Sequence, residues 1–568
     1  MKLTHIVILF CIILFGAFLR FDGINWDQGF HLHPDERAIV LYTLPLQMPV
    51  NLNNFFSPQS TLNPHFFAYG SLPLYLLKII ASVGSFFDAS LISYDKINLL
   101  GRAMSALFDL GTILIIFFLG KKLFSIPVGL LAAFFYSISV LPIQTSHFYA
   151  VDIPLTFFMT VAIFLLILFY EKPGQGKSIL IGLIFGLALS TKNSALALIS
   201  SVIIALLADF LLIFLRYPHH PSKWKHHIPI VLKRLFFDGL TILVVGVIVF
   251  IIAEPYSLID SSSFISQTNE QSQMTHNAFI FPYTLQYVGK IPYIYELKNI
   301  FLWGQGPLLS LLSFFGIGYI VRAIYKKDKK DKWAQEVVIL AFVISYFLVV
   351  GHFAVGFMRY MLPIYPFLSL FGAVFLWKLS TRIIPKLPYL IAIAYLLLAI
   401  IWPLSFMHIY TKQNTRVSAT QWIQQNIPTG SSIAIEHWDD GLPLQGQEKY
   451  HMLTLPLYDP DSPEKWSNVH NMLGQTDYII IASNRLYVPL QKMTDCPHLP
   501  PFRCYTETAK YYKDLFSGKL GFEMVAQFAV YPTIPIINFP IDDQGADESF
   551  TVYDHPIVMV YKNRLRLH

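Results

Sequence analysis

The chain alternates long apolar runs with short polar breaks. Apolar runs cover residues 4–21, 103–119, 126–141, 153–170, 178–189, 195–214, 235–253, 308–323, 337–350, 360–377 and 388–406. Most approach or exceed the length that spans a bilayer, so they predict about eleven transmembrane helices. Two polar stretches are much longer than the other breaks, at 22–99 and 254–300. The first contains an apolar run, 72–81, too short to span and suited to a helix lying in the interface. From residue 407 the apolar runs stop. A helical pattern over 417–426 ends before Pro428, strands are predicted at 432–436 and 477–482, and an edge hairpin is predicted within 549–562, closed near Asp554-His555-Pro556. The expected fold class is a polytopic α-helical membrane protein, domain 1–406, followed by a small α/β domain, 407–568.

Composition agrees. Of 568 residues, 54% are hydrophobic and 13% charged, against about 25% charged in a soluble domain. Mean hydropathy is +0.51. The net charge of +6 calls for no nucleic acid, because most of the excess lies in short loops. With Lys2 in the cytoplasm, the basic loops at 121–122, 172–177, 216–234, 322–332 and 378–386 all fall inside. The loops 22–99 and 254–300, the turns 144–152 and 352–359 and the tail then fall outside. The expected location is the plasma membrane, multi-pass, with the first segment an uncleaved helix because no small-residue cleavage site follows it. Cys11 lies inside that helix. Cys496 and Cys504, eight residues apart in the tail, are compatible with a disulfide or with two free thiols.

The unusual polar groups gather on the outer side. His31-Leu32-His33-Pro34-Asp35-Glu36-Arg37 follows the first helix. Two adjacent carboxylates at a membrane surface are costly unless something uses them. Arg102, His147, Tyr149, Asp152, Lys192, Asn193, Glu254, Tyr256, His352 and Arg359 fall on the same side. A carboxylate there can take a proton from a hydroxyl, and Lys or Arg can hold a phosphate leaving group. Each group also has a structural reading. Lys192 and Arg102 can snorkel at helix ends. His147 can be an interfacial hydrogen bonder. Asp152, before Ile153-Pro154, can be a helix N-cap. His31 and His33 with Asp35 suit either hydrogen bonding or a metal.

In Asp35-Glu36, Arg102-Ala-Met-Ser-Ala-Leu with Leu119-Gly-Lys-Lys-Leu-Phe, His147-Phe-Tyr-Ala-Val-Asp152-Ile-Pro154, Gly186-Leu-Ala-Leu-Ser-Thr-Lys192 and Arg359-Tyr-Met-Leu-Pro363-Ile-Tyr-Pro366, the sequence resembles the GT-C superfamily of membrane glycosyltransferases. The likeness is to the branch that includes protein O-mannosyltransferases and aminoarabinose transferases, and it covers roughly residues 1–405. It implies sugar transfer from a polyprenyl-phosphate-linked donor to a lipid, glycan or protein acceptor outside the cytoplasm. It implies Asp35 as general base, Glu36 as its support or an acceptor contact, and Asp152 as a second acidic site residue. His33, Arg102, His147, Tyr149, Lys192 and Arg359 become candidate substrate contacts. No metal ligand set is assigned; some relatives work without metal while the related oligosaccharyltransferases need a divalent ion, so a divalent metal as cofactor stays open. The competing function is a transporter or flippase of a lipid-linked saccharide, which would favour polar groups near the midplane over charges at one face.

Overall fold

A computed structural model describes residues 2–216, 221–326 and 333–566. Parts of the basic loops expected at 216–234 and 322–332 therefore lie outside the described residues. The first span, α1 (Leu3–Phe21), leads into a long loop carrying α2 (Pro34–Thr43) and the apolar α3 (Leu72–Gly84). The bundle continues through α4 (Tyr94–Leu123), α5 (Ile126–Ser137), α6 (Val140–Ser146), α7 (Asp152–Glu171), α8 (Gln175–Leu189), α9 (Leu198–Arg216) and α10 (Pro221–Ala253). A polar helix, α11 (Ser261–His276), runs through the second long loop. The bundle closes with α12 (Pro307–Lys326), α13 (Trp333–Val350), α14 (Tyr365–Ile383), α15 (Pro388–Ala399) and α16 (Ile401–Met407).

Among the described residues, seven helices are long and apolar enough to cross a membrane, or eight if α5 and α6, bent by 56°, form one span. The protein is thus a multi-pass membrane protein. Three further expected spans fall on shorter apolar helices, within α8, α9 and α13. The 15 residues of α8 reach only about 22 Å, short of a hydrocarbon core of about 30 Å. The run 126–141, read as one helix, breaks between α5 and α6. There Arg20 Nη1 donates to the Ser137 carbonyl at 2.9 Å, so this carbonyl is satisfied from outside its helix. The same guanidinium pairs with Asp109 at 2.6 Å, and the Tyr136 hydroxyl donates to that carboxylate. Charges this deep persist only when paired, and this set ties α1, α4 and α5 together.

The tail forms the expected α/β unit: α17 (Thr415–Asn426), β1 (Ser432–Glu436), β2 (His451–Leu455), α18 (Pro463–Gln475), β3 (Tyr478–Ile481), α19 (Thr506–Phe516), β4 (Phe522–Phe528), a two-stranded hairpin of β5 (Thr533–Ile534) and β6 (Phe539–Pro540), and β7 (Val558–Asn563). The main sheet runs β2-β1-β3-β7-β4. Its β1 is parallel to β2 and β3, and β7 is antiparallel to β3 and β4. All of β3 is buried, as a strand covered on both faces must be. Cys496 and Cys504 are joined by a disulfide, with Cα atoms 5.2 Å apart.

The edge hairpin expected within 549–562 is absent: Glu548–Thr551 is a helical turn and β7 pairs between β3 and β4. The connection before β7 is instead tied to the bundle. His555 lies between Asp543 (2.7 Å) and Asp554 (2.5 Å), all buried. Asp554 also accepts from Gln144 Nε2 of α6 at 3.0 Å and from the Tyr410 hydroxyl at 2.9 Å. Burial opposes charge on His555, but Asp554 and Asp543 outweigh it and push the imidazole up to about 10. Its folded pKa thus exceeds the unfolded value of about 6.5. The stabilisation is complete below the unfolded value and is lost as pH rises through the folded one. The thermal midpoint in detergent should therefore fall between pH 6.5 and pH 10, and His555→Gln should flatten that slope. A wild-type slope retained in the variant would locate the titration elsewhere.

Candidate active site

A cavity of about 950 Å³ lies where the bundle, the second long loop and the C-terminal domain meet. Its bundle wall carries Asp35, Tyr69, Lys192, Arg359 and Tyr360. The loop contributes Thr268, Gln271 and Tyr283, and the C-terminal domain contributes Trp438, Asp440, Arg485 and Tyr553. Its size suits an organic ligand.

Four charges form a chain along the bundle wall. Arg359 Nη2 contacts Asp35 Oδ2 at 2.6 Å, and Arg359 Nε lies 3.4 Å from Asp152 Oδ2. Lys192 Nζ contacts Asp152 Oδ1 at 2.7 Å. Lys192 also sits over the Tyr360 ring at 4.4 Å, and Arg359 over the Phe357 ring at 4.6 Å, where aromatic faces favour cations. Burial pushes the Asp35 carboxyl up, but Arg359, His33, a hydrogen bond from Tyr69 and Lys192 hold it below the usual carboxylate range. Asp35 is therefore a carboxylate facing the cavity.

Local sequence explains these positions. His33-Pro34 opens α2: the His33 ring accepts from the Glu36 amide at 3.4 Å, and Pro34 stands in the first turn, where a missing amide hydrogen is harmless. Glu36 points away from the cavity. It takes Arg102 Nη2 at 2.6 Å and Nε at 2.9 Å, and the Tyr149 amide at 2.9 Å. Asp27 receives the other edge of Arg102 at 2.7 and 3.0 Å. These three side chains are 0% exposed. Arg102 thus joins two carboxylates instead of snorkelling. Gly70 allows the loop backbone to lie against Ser190: an added Cβ would stand 1.9 Å from the Ser190 carbonyl oxygen. Gly70 and Leu72 donate to Thr191 and Ser190 at 3.1 Å, which fixes the turn carrying Lys192.

The predicted residues thus separate into two groups. Asp35, Asp152, Lys192 and Arg359 form the charged chain, with Asp152 just behind the lining. Asp152 is the first residue of α7, one position inside the N-cap Val151, and its carboxylate faces the two cations. Glu36, His33, Arg102, His147 and Tyr149 stand off the cavity. Burial pushes the His33 ring down to about 3; it packs between Phe148 and Tyr553. Both ring nitrogens of His147 lie 2.9 Å from carbonyls, of Ile143 and Asp22. The Tyr149 hydroxyl donates to the Pro73 carbonyl at 2.7 Å. Of the other groups expected on the outer side, Asn193 lines the cavity, His352 lines a neighbouring groove, and Glu254 is buried against Ser71 at 3.5 Å.

Tyr69, Tyr283, Tyr553 and the C-terminal residues were not apparent from the sequence. One signal was present: Trp438-Asp439-Asp440 lies one residue beyond the end of strand β1, and ligands gather at the carboxyl ends of parallel strands. Asp440 receives Arg37 at 2.9 Å, which links this wall to α2. A divalent ion does not suit the donor set. Each carboxylate of the charged chain already faces a cation, and among the described residues no group of three or more His, Cys, Asp and Glu can hold a metal.

A family model described as dolichyl-phosphate-mannose-protein mannosyltransferase matches residues 95–233. No curated protein matches the sequence. Among solved structures the chain is similar to the archaeal oligosaccharyltransferase AglB from Archaeoglobus fulgidus, in complex with an inhibitory peptide and a dolichol-phosphate. Identity is 14%, coverage is 99% of this chain and 88% of that one, and the TM-score is 0.51. It is also similar to ArnT from Cupriavidus metallidurans bound to undecaprenyl phosphate, at 12% identity, 88% and 96% coverage and a TM-score of 0.47. The AglB likeness shows the fold alone: a helical membrane bundle followed by a C-terminal domain.

Proposed function

We propose that the protein is an inverting glycosyltransferase that moves a sugar from a polyprenyl-phosphate-linked donor to an extracytoplasmic acceptor. The observation that carries this reading is the Asp35–Arg359 pair at 2.6 Å on the wall of the cavity. The acceptor oxygen attacks the anomeric carbon while the bond from that carbon to the phosphate oxygen breaks. The acceptor proton passes to Asp35, and the lipid phosphate leaves with the bonding electrons. Lys192 and Arg359 hold that phosphate and neutralise its growing charge. Before donor binds, Arg359 is engaged by Asp35 and Lys192 by Asp152. A donor phosphate draws both cations toward itself, and Asp35 regains basicity when the acceptor needs it. Asp152 orients the two cations, while Glu36 and Arg102 hold the segment carrying Asp35.

AglB is held with a dolichol-phosphate and a peptide. By that likeness, the partners here are a lipid-phosphate-linked donor and a protein or glycan acceptor. The basic-loop distribution supports a cytoplasmic N-terminus and an extracytoplasmic cavity and C-terminal domain. The working division is a transferase bundle over 1–406 and an extracytoplasmic domain over 407–568.

The test is turnover. Purified protein in nanodiscs, given a panel of polyprenyl-phosphate sugars, should release free lipid phosphate from at least one. No donor consumed, with lipid-linked saccharide crossing a vesicle membrane, would replace this reading with a transporter. Lys192→Met should raise the donor KM about tenfold, the effect of losing one charge-assisted hydrogen bond. An unchanged donor KM would remove Lys192 from the phosphate site.

A further inference from the structure

The β5–β6 hairpin presents an apolar tip that nothing among the described residues covers. Between the two paired strands, Ile536 is 99% exposed and Ile537 66%, and Phe539 of β6 is 59% exposed. No residue from 533 to 540 is charged. Turn tips facing water are ordinarily polar. Ile536 is also held at φ +75°, a left-handed conformation that a β-branched residue seldom adopts. At 99% exposure, its side chain finds little packing among the described residues to offset that conformation.

The hairpin's surroundings identify what covers it. Val530 and Ala546, just outside its two ends, pack against the apolar core that joins the membrane bundle to Phe550, Val552 and Tyr553 of the C-terminal domain. β5 lies against α16, the last helical segment of the bundle. In α16, Trp402 Nε1 donates to the Trp303 carbonyl at 2.9 Å, and the two indoles lie 6.1 Å apart. Tryptophans of this kind collect at the boundary between water and lipid. Below them α15 exposes Leu390, Ile393 and Leu397 along the lipid-facing side. The hairpin therefore continues an apolar surface that already faces lipid.

We propose that residues 533–540 insert into the membrane interface on the side of the C-terminal domain, with Ile536, Ile537 and Phe539 among the lipid headgroups and upper acyl chains. The occupant is the bilayer that holds the bundle. The insertion gives the C-terminal domain a second attachment besides its direct packing on the bundle, and so steadies the cavity wall that this domain supplies. The inference is independent of the transferase reading.

The test uses the full chain in nanodiscs, with Cys11→Ser and a single Ile537→Cys carrying an environment-sensitive fluorophore. The Cys496–Cys504 disulfide stays intact, and Ser467→Cys on the exposed face of α18 is the water-facing control. Lipids bearing a spin label near the headgroup should quench the 537 probe about twofold or more, the depth being that of an interfacial segment. Aqueous iodide should leave it nearly unaffected while quenching the control. Strong iodide quenching without lipid quenching would put the tip in water and overturn the proposal. A probe shielded from both quenchers would mean that protein, such as a second copy of the chain, covers the tip, and would overturn it equally.

Discussion

Asp35→Asn is expected to lower kcat for sugar transfer by about a thousandfold, within the range for losing a positioned general base. The carboxamide matches the carboxylate in size and can still accept a hydrogen bond from Tyr69, but it cannot take the acceptor proton. Arg359 loses its 2.6 Å partner and keeps Asp152. The donor phosphate then meets a less committed guanidinium, so the donor KM should stay level or fall while kcat collapses. The measurement is the initial rate of lipid-phosphate release by the two proteins at matched concentration, with donor titrated in each. Equal rates would remove Asp35 as the base. The pH profile offers a second check. In the free protein the Asp35 carboxyl is held below its usual range, so the acid limb of kcat/KM should lie below that range. The limb of kcat reports the donor complex, in which phosphate has drawn Arg359 away, and should stand at higher pH. Coincident limbs would contradict the exchange of partners.

Arg102→Leu is expected to lose about 3–5 kcal/mol of stability, the usual consequence of removing one partner from a buried ion network. Arg102 makes four hydrogen bonds to Asp27 and Glu36, all within 3.0 Å. Without it, two carboxylates face each other in a space closed to water. The loop between α1 and α2 then loses its anchor. Thermal unfolding and size-exclusion profiles in detergent should show a lowered midpoint and aggregation for Arg102→Leu, with Asp35→Asn close to wild type. An Arg102→Leu protein with the wild-type midpoint and selective loss of donor binding would reverse the assignment and make Arg102 a phosphate ligand. The two substitutions thus separate chemistry from scaffold in the neighbourhood of the first turn of α2, where Asp35 stands beside Glu36, the partner of Arg102.

That neighbourhood shows where sequence reading stops. Asp35 and Glu36 are adjacent and equally acidic, so composition marks both. A helix turns successive side chains by about 100°, and the first turn of α2 sends Asp35 into the cavity and Glu36 into the bundle. Asp152-Ile-Pro154 has the pattern of a helix N-cap, but its carboxylate faces Lys192 and Arg359, 40 and more than 200 positions away in the chain. Arg485 and Tyr553 carried no mark because nothing local distinguishes a surface Arg or Tyr from one at a domain junction. The hairpin expected within 549–562 failed for a related reason. Its connecting residues, Asp554 and His555, are held by Asp543, Gln144 and Tyr410, none of which a local pattern can supply.

The sequence by itself determined the membrane class, the apolar runs, the charged residues that gather between them and the strands at 432–436 and 477–482. These depend on local quantities: hydropathy over a bilayer's thickness, charge in short loops and the burial pattern of a strand. Only the tertiary structure decided which carboxylate faces the cavity, which cation meets which acid and that the C-terminal domain supplies one wall. It also decided that Cys496 and Cys504 are bonded. Those features rest on contacts between distant segments, and their energies depend on distance and burial, which spacing along the chain does not encode.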